Sequence, residues 1–589
     1  MCGIFGYMGS SNAPDIIHQG LKRLEYRGYD SWGISTIENG KIKTTKDVGH
    51  LPEKSPIESK SVSTGVGHTR WATHGGVTIT NAHPHYSTDN SFVIAQNGIV
   101  ENYTELKKSL ENLGYVFKTQ VDTEVIVKLV EHERKSSKTL RDALVKAFKQ
   151  LDGRNTVIVL DSKQDQILAI RNGSPLILGT KEKDVYLASD PLAFNQYSQN
   201  IVEINNGELI EIKDNKYKIY DIYSEKYINR KPREEKQLDI EINKGDYDHY
   251  MIKEIVEQKG TILKSTNYSQ KELKPLVDRL KKSKSIYTIG AGTAGYSADQ
   301  IAYYLRKIAN LNAISIKSYE TESYLNLIDK NDTVIAVSQS GETADTLEAI
   351  EILKKKGVYI SSIINMPGST LSRLSDSFFM SNAGSEICVA STKVFTSQIS
   401  FGYLLSKTVI GKYKEAKKEI YLLSTNLEDF FNNKTFKQIE KITKVLKDKE
   451  HFFILGKGQN FHIAQEGALK IKEISYKHFE GFAAGELKHG VIALIEKGTP
   501  VISIISNDSN VRDLISATQE VKARGAITIG IGDKQDENCF DYFITVADSN
   551  ELKSISNVIP FQLISYYLAK ELGNNIDKPR NLAKSVTVK

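Results

Sequence analysis

The sequence predicts a multidomain protein, α+β in its first third and α/β with parallel sheets in the rest. Three observations carry that expectation. Residues 1 to about 220 read as short β-rich segments separated by turn signals. Beyond residue 248, apolar strands alternate with helical stretches, the pattern of parallel sheets. That alternation also repeats. Tyr287-Thr-Ile-Gly-Ala-Gly and Phe453-Ile-Leu-Gly-Lys-Gly lie 166 residues apart, and the apolar strands at Val334 and Val501 lie 167 apart. Gly357-Val-Tyr-Ile and Gly525-Ala-Ile-Thr lie 168 apart. Chance matches would drift in spacing, so the α/β part is a duplication, and the period is far too long for a solenoid. A length of 589 residues accommodates three or four such domains.

In chain order, Val93-Ile94-Ala95, Val157–Leu160 and Gln166–Ile170 have the apolar character of buried strands. A helix is expected from about Asp122, where Asp-Thr-Glu leads into the spacing of Val125, Ile126 and Leu129. From 222 to about 248 the chain turns polar and charged, as a linker does. The expected organisation is a first domain over 2–220, a linker over 221–248, lobes over 275–410 and 442–579, and a tail over 580–589.

Composition narrows the function classes. Hydrophobic residues make up 40% and charged residues 25%, values of a globular and not a disordered chain. Lys and Arg number 78 against 72 Asp and Glu, a net charge of +6 with no basic block, so no nucleic-acid partner is expected. Three cysteines cannot build a disulfide framework, which points to a reducing, cytoplasmic compartment. No apolar run approaches about 18 residues and no signal peptide is legible, so no membrane partner is expected either.

The first third carries the densest chemistry. Cys2 follows Met1 directly, and removal of Met1 would leave a thiol beside its own α-amine, which titrates near pH 8 and can serve as its base. Alone, Cys2 reads equally well as a small buried apolar residue. Leu24–Ser31 (LEYRGYDS), Gly67–Gly75 (GHTRWATHG), Gln96-Asn97-Gly98 and Val121–Glu124 (VDTE) read as polar loops or strand ends. Singly, Arg70 is a surface cation, Asp122 a helix N-cap and Asn97-Gly98 a type I′ hairpin turn.

Together these motifs resemble the class II glutamine amidotransferase domain of the N-terminal-nucleophile hydrolases. The resemblance covers about residues 2–215 and implies an αββα sandwich that hydrolyses the glutamine side-chain amide. It assigns Cys2 as nucleophile and Asn97 with the Gly98 N–H as oxyanion donors. Arg70 would hold the glutamine α-carboxylate and Asp122 its α-ammonium, with Thr73 and His74 lining the pocket.

In the repeated part, Val334–Asp345 (VIAVSQSGETAD) runs from a strand through a small polar loop into a helix, an arrangement suited to a phosphate. A simple Ser N-cap is the alternative. The loop after Gly290-Ala-Gly-Thr293 stands at a neighbouring strand end, where ligands of open parallel sheets gather. No ribose-binding acid accompanies that glycine string, so no nicotinamide cofactor is expected, nor any other cofactor or metal. Lys470 and Glu473 lie three apart on one predicted helix, with Glu466 four before Lys470, and alone they read as an exposed ion-pair series.

The features of both halves resemble sugar isomerase domains behind an amidotransferase. Over nearly the whole chain they resemble the glutamine–fructose-6-phosphate aminotransferase (isomerising) family. The strings that carry the resemblance are Ser338–Thr343 (SQSGET), Val389–Lys393 (VASTK), Glu466–Ser475 (EGALKIKEIS), Gly485–Gly490 (GELKHG) and 579–588 (PRNLAKSVTV). It implies two doubly wound parallel-sheet lobes that bind fructose 6-phosphate. His489 would open the sugar ring, Lys584 form a Schiff base at C2, Glu473 move a proton between C1 and C2, and Lys470 assist. Ser338, Gln339, Ser340 and Thr343 would hold the phosphate, with Thr293, Val389, Ser391 and Ala583 around the sugar. Trp71 resembles the gate of an ammonia channel, and a homodimer is implied. Ala294 stands where the family commonly has serine, and Trp32 and Val491 replace smaller or more rigid residues. A paralogue acting on another ketose phosphate and a phosphosugar-sensing regulator remain the alternatives. Product identification after incubation with glutamine and fructose 6-phosphate separates them.

Overall fold

The computed structural model describes residues 2–59, 61–234, 243–533 and 538–587, so Met1, Val588 and part of the expected linker lie outside the described residues. The chain divides into two compact units, 1–239 with 585–589, and 240–584.

Unit one stacks an eight-stranded and a seven-stranded antiparallel sheet. Gly3–Met8 lies inside the first, between Asp184–Ala188 and Thr64–Arg70. Ile4 and Met8 face a core shared with Val93 and Ile158 of the second sheet, whereas Phe5 and Tyr7 pack towards the helix Ala13–Leu24. Phe92 and Ile94 of the strand Phe92–Gly98 pack with the helix Thr123–Arg134, and Val93 and Ala95 with the inter-sheet core. Both faces of the central strands are covered, which is why they read as apolar runs without alternation. The layers are helix, sheet, sheet, helix.

Two expectations change. The segment expected as a linker contains the strands Lys226–Ile228 and Arg233–Glu234, each an edge of one sheet. Asn97-Gly98 is no hairpin turn, because Asn97 pairs with Thr156 and Gly98 with Asn155 across an antiparallel ladder. Of the two residues only Gly98 has a positive φ, at 137°, and a Cβ there would meet the Arg154 carbonyl oxygen at 2.1 Å.

Unit two holds two five-stranded parallel sheets. The first runs Ala313–Lys317, Ile286–Gly290, Thr333–Val337, Tyr359–Ile364, Ser377–Met380. The second runs His478–Ala483, His451–Gly456, Pro500–Ile505, Ile527–Gly532, Tyr542–Thr545. Both have the order 2-1-3-4-5, so the sequence repeat is a topological repeat. One core spans both lobes, from Ile335 and Ile363 to Ile454 and Phe561, while separate clusters cover the outer sheet faces. In this order the crevice for a ligand opens between the first and third strands of each sheet. In the first lobe that places it at the ends of Ile286–Gly290 and Thr333–Val337, where the helix Gly292–Lys307, with Thr293 in its first turn, and the loop 338–343 begin.

Candidate functional sites

In unit one the sheet ends gather the first set. Cys2 precedes the strand Gly3–Met8, and its Sγ accepts the Trp71 N–H at 3.3 Å and faces the Trp71 carbonyl at 3.6 Å. Burial pushes the thiol pKa up, opposed by the Trp71 N–H and by Arg70. Asn97 Nδ2 donates to the Cys2 carbonyl at 3.0 Å, and Arg27 Nε donates to the same oxygen at 3.3 Å. His68 Nε2 lies 2.9 Å from the Gln96 carbonyl and 3.2 Å from Asn97 Oδ1. Both oxygens can only accept, so Nε2 carries the hydrogen and the ring is held in one tautomer. Burial lowers the His68 pKa to about 3, which keeps that ring neutral.

Asp122 stands at the N-cap position of the helix Thr123–Arg134, yet its side chain makes no cap. Its Oδ2 instead accepts the Val100 N–H at 2.9 Å and Gln96 Nε2 at 3.5 Å, so the N-cap reading is corrected. Burial raises its pKa against those donors and the nearby His74. Arg70 is buried, not a surface cation, and its guanidinium donates to the carbonyls of His74, Gly75 and Gly76. The charges of Cys2, Asp30 and Asp122 all act on it. Thr73 is exposed, and His74 packs edge-on against Tyr103 at 5.1 Å.

In unit two the helix Gln459–Ser475 presents Glu466, Lys470 and Glu473 inward. Lys470 Nζ lies 2.6 Å from Glu473 Oε2 and 3.7 Å from Glu466 Oε1. Lys470 is 1% and Glu466 0% exposed, so the reading of an exposed ion-pair series is wrong. Thr293 Oγ1 of the first lobe donates to Glu466 Oε1 at 3.3 Å. Burial pushes Glu466 up to about 8, and the two glutamates hold the Lys470 ammonium charged against its burial.

Lys584 Nζ forms an ion pair with Glu386 and donates to the Cys388 carbonyl at 2.8 Å. Glu386 also accepts Ser391 Oγ at 2.7 Å and the N–H groups of Thr392 and Val394, at 2.8 and 3.1 Å. Despite complete burial, Lys584 and these donors hold its carboxyl below the usual range. The charge of Glu386 also reaches Lys470, so the two clusters are electrical neighbours.

The loop 338–343 is braced from within: Ser338 Oγ accepts the Gly341 N–H at 2.9 Å and Ser340 Oγ the Glu342 N–H at 3.1 Å. Gly341 has φ +64°, and a Cβ there would meet Ser369 Oγ at 2.1 Å. The N-cap of the helix Ala344–Lys355 is Thr343, whose side chain makes no capping bond, so no serine caps this helix. Gln339 gives its carbonyl to the Asn365 N–H at 3.1 Å.

The structure thus brings together Cys2, Trp71, Asn97 and Arg70 with Asp122, and separately Thr293, Lys470, Glu473, Ser391 and Lys584. Val389 and Ala583 flank the second group in sequence and in the tail. His489 is exposed at the end of the short helix Ala484–His489, joined to none of them by a hydrogen bond or ion pair. Sequence reading missed His68, Arg27, Glu386 and Glu254. Glu386 stands just ahead of the Val389–Lys393 string, and Glu254 lies between the expected linker and the expected first lobe. Glu254 accepts the Ile387 and Cys388 N–H groups, at 2.5 and 3.3 Å.

Comparison with known proteins agrees with this division. A glutamine amidotransferase domain model matches residues 68–196, and an SIS domain model matches twice, over 279–407 and 445–571. The glutamine–fructose-6-phosphate aminotransferase [isomerizing] of Pyrococcus horikoshii is 39% identical over the full length of both chains. Those of Thermococcus kodakarensis and Idiomarina loihiensis are 38% identical, again over the full length of both. Among solved structures, the C-terminal domain of glucosamine-fructose-6-phosphate aminotransferase from Francisella tularensis matches with a TM-score of 0.52 and 32% identity. It covers 57% of this chain and 100% of its own.

Proposed function

The chain belongs to the glutamine–fructose-6-phosphate aminotransferase (isomerising) family, and from that premise we infer that it converts fructose 6-phosphate and glutamine to glucosamine 6-phosphate and glutamate, the entry reaction of amino-sugar synthesis. Unit one releases ammonia from glutamine. With Met1 removed, the α-amine of Cys2 takes the thiol proton, and the sulfur attacks the side-chain carboxamide. Asn97 Nδ2, already oriented through Oδ1 by His68, and the Gly98 N–H stabilise the oxyanion, each such donor being worth about 3–4 kcal/mol. Ammonia leaves, and water then cleaves the thioester to glutamate. Arg70 and Asp122, opposite charges beside the thiol, receive the two ends of the amino acid, with Thr73 and His74 lining the pocket. Trp71, whose backbone N–H and carbonyl both meet Sγ, is the gate for ammonia.

In unit two, Ser338, Gln339, Ser340 and Thr343 hold the sugar phosphate at an uncapped helix N-terminus. His489 opens the ring, and an exposed imidazole is free to do so. Lys584 then adds to C2, and its imine makes that carbon electrophilic for ammonia. Glu473 carries a proton between C1 and C2, with Lys470 beside it and Thr293, Val389, Ser391 and Ala583 around the sugar. The observation that most supports this assignment is that the tail brings the Lys584 ammonium, its side chain 5% exposed, against Glu386, whose charge also reaches Lys470 beside Glu473.

We further place the protein in the cytoplasm, in keeping with its three free cysteines, and propose a homodimer. The decisive experiment incubates the protein with glutamine and fructose 6-phosphate and identifies the sugar product. Glucosamine 6-phosphate supports the reading, and a different amino sugar or none rejects it. Cys2→Ala is expected to lose glutamine hydrolysis and keep hexose-phosphate isomerisation.

A further inference from the structure

The helix Tyr250–Ser265 begins without a cap of its own, because His249 holds the N-cap position and its side chain makes no capping bond. The first N–H groups of such a helix need acceptors from elsewhere. Two of them find Asp577: Oδ2 accepts the Tyr250 N–H and Oδ1 the Met251 N–H, both at 3.0 Å. A carboxylate at a helix N-terminus is also favoured by the helix dipole. The carbonyl of the same residue accepts the Val389 N–H at 3.0 Å, and that of Ile576 faces Cys388 Sγ at 3.6 Å. Asp577 therefore ties three pieces of chain together: the start of this helix, the loop 386–389, and the segment that continues into Lys584.

Those pieces are the ones that receive Lys584. Its ammonium goes to Glu386 and to the Cys388 carbonyl, both in the tied loop. One turn into the capped helix, Glu254 Oε1 takes the Ile387 and Cys388 N–H groups and fixes the loop from the other side. A second fastening lies at the helix bearing Glu473, where Tyr476 Oη accepts the Arg580 N–H at 2.9 Å and the guanidinium stacks on its ring at 4.2 Å. Segments near chain ends fray unless held, and an imine-forming amine must be held closely to react.

We propose that Asp577 is a positioning residue for Lys584, capping the helix Tyr250–Ser265 with its carboxylate and so holding the tail in the register that brings Nζ to Glu386 and the Cys388 carbonyl. The proposal rests on the Schiff-base reading of Lys584. A displacement of about 1 Å at a reacting group costs on the order of a hundredfold in rate.

The test compares the wild type, Asp577→Ala and Asp577→Asn, the last keeping one acceptor and serving if the alanine variant does not fold. Reduction with borohydride in the presence of fructose 6-phosphate, followed by peptide mass spectrometry, reads the adduct at Lys584. Hydrogen exchange of the peptides spanning 574–587 reads the anchor independently of the chemistry. Asp577→Ala is expected to lower adduct yield and the turnover for glucosamine 6-phosphate by about ten- to a hundredfold. Fructose 6-phosphate affinity should stay within a few-fold, sugar-free glutamine hydrolysis should be unchanged, and tail exchange should rise. Asp577→Asn should fall between. Wild-type adduct yield and exchange in both variants would overturn the proposal. A wild-type protein without adduct at Lys584 would remove the Schiff-base reading instead, and the exchange data would still decide for or against the anchor.

Discussion

Lys470 and Glu473 meet at 2.6 Å on one helix turn, at a place where the lysine is 1% exposed. A surface pair of that spacing contributes a few tenths of a kcal/mol. Here the ammonium has left water and depends chiefly on Glu473 and Glu466 for its compensation.

Lys470→Met should therefore destabilise the protein by about 3–5 kcal/mol, because it leaves two carboxyl groups facing each other without the cation. Urea denaturation followed by helix circular dichroism checks this. Glu473→Gln keeps a hydrogen-bond acceptor for Lys470, so it should cost less in stability while abolishing isomerisation.

Glu466 and Glu254 both have pKa values raised by burial from 4.5 to about 8. Below about pH 4.5 folded and unfolded chains are both protonated there, and nothing is lost. Between 4.5 and 8 only the unfolded chain releases the protons, so folding stability declines across that interval. Glu466→Gln and Glu254→Gln should each flatten the decline. Denaturation midpoints at pH 5 and pH 8 measure it, and a variant with the wild-type difference contradicts the assignment.

Asn97→Ala should lower kcat for glutamine hydrolysis by about a hundred- to a thousandfold with little change in KM. His68→Leu should produce a smaller loss of the same kind, since it removes only the donor that orients the Asn97 amide. With its pKa near 3, His68 should leave no inflection in the rate profile between pH 5 and 7.

Arg70→Ala and Asp122→Ala should weaken glutamine binding by about 2–5 kcal/mol each. Asp122→Asn sharpens the test: its carbonyl can still accept the Val100 N–H, so the local fold persists while the negative charge goes. A near-normal KM for glutamine in Asp122→Asn would remove Asp122 from the pocket.

Much of the fold was legible beforehand because its determinants are local. The apolar runs around Val93 and Val157 belong to strands covered on both faces, and three strand offsets of 166 to 168 residues announced one topology used twice. A polar loop between a strand end and a helix start was legible where its motif was compact, as in Ser338–Thr343. Local reading misled where the neighbour was remote. Asn97-Gly98 has the composition of a turn, but the strand Asn155–Asp161 pairs with it and makes it a strand end.

Asp122 looks like a cap for its own helix, while the groups that claim its carboxylate are Val100 and Gln96. The helix Tyr250–Ser265, whose own N-cap residue makes no capping bond, takes one from Asp577, 326 residues along the chain from Met251. Glu386 and Lys584, 198 residues apart, become an ion pair only when the tail is laid over the loop 386–389. Backbone preference and apolar period act over a few residues and are written in the string. The burial of a charge, and the partner that makes it tolerable, depend on which distant segments exclude water from it, and only packing sets that.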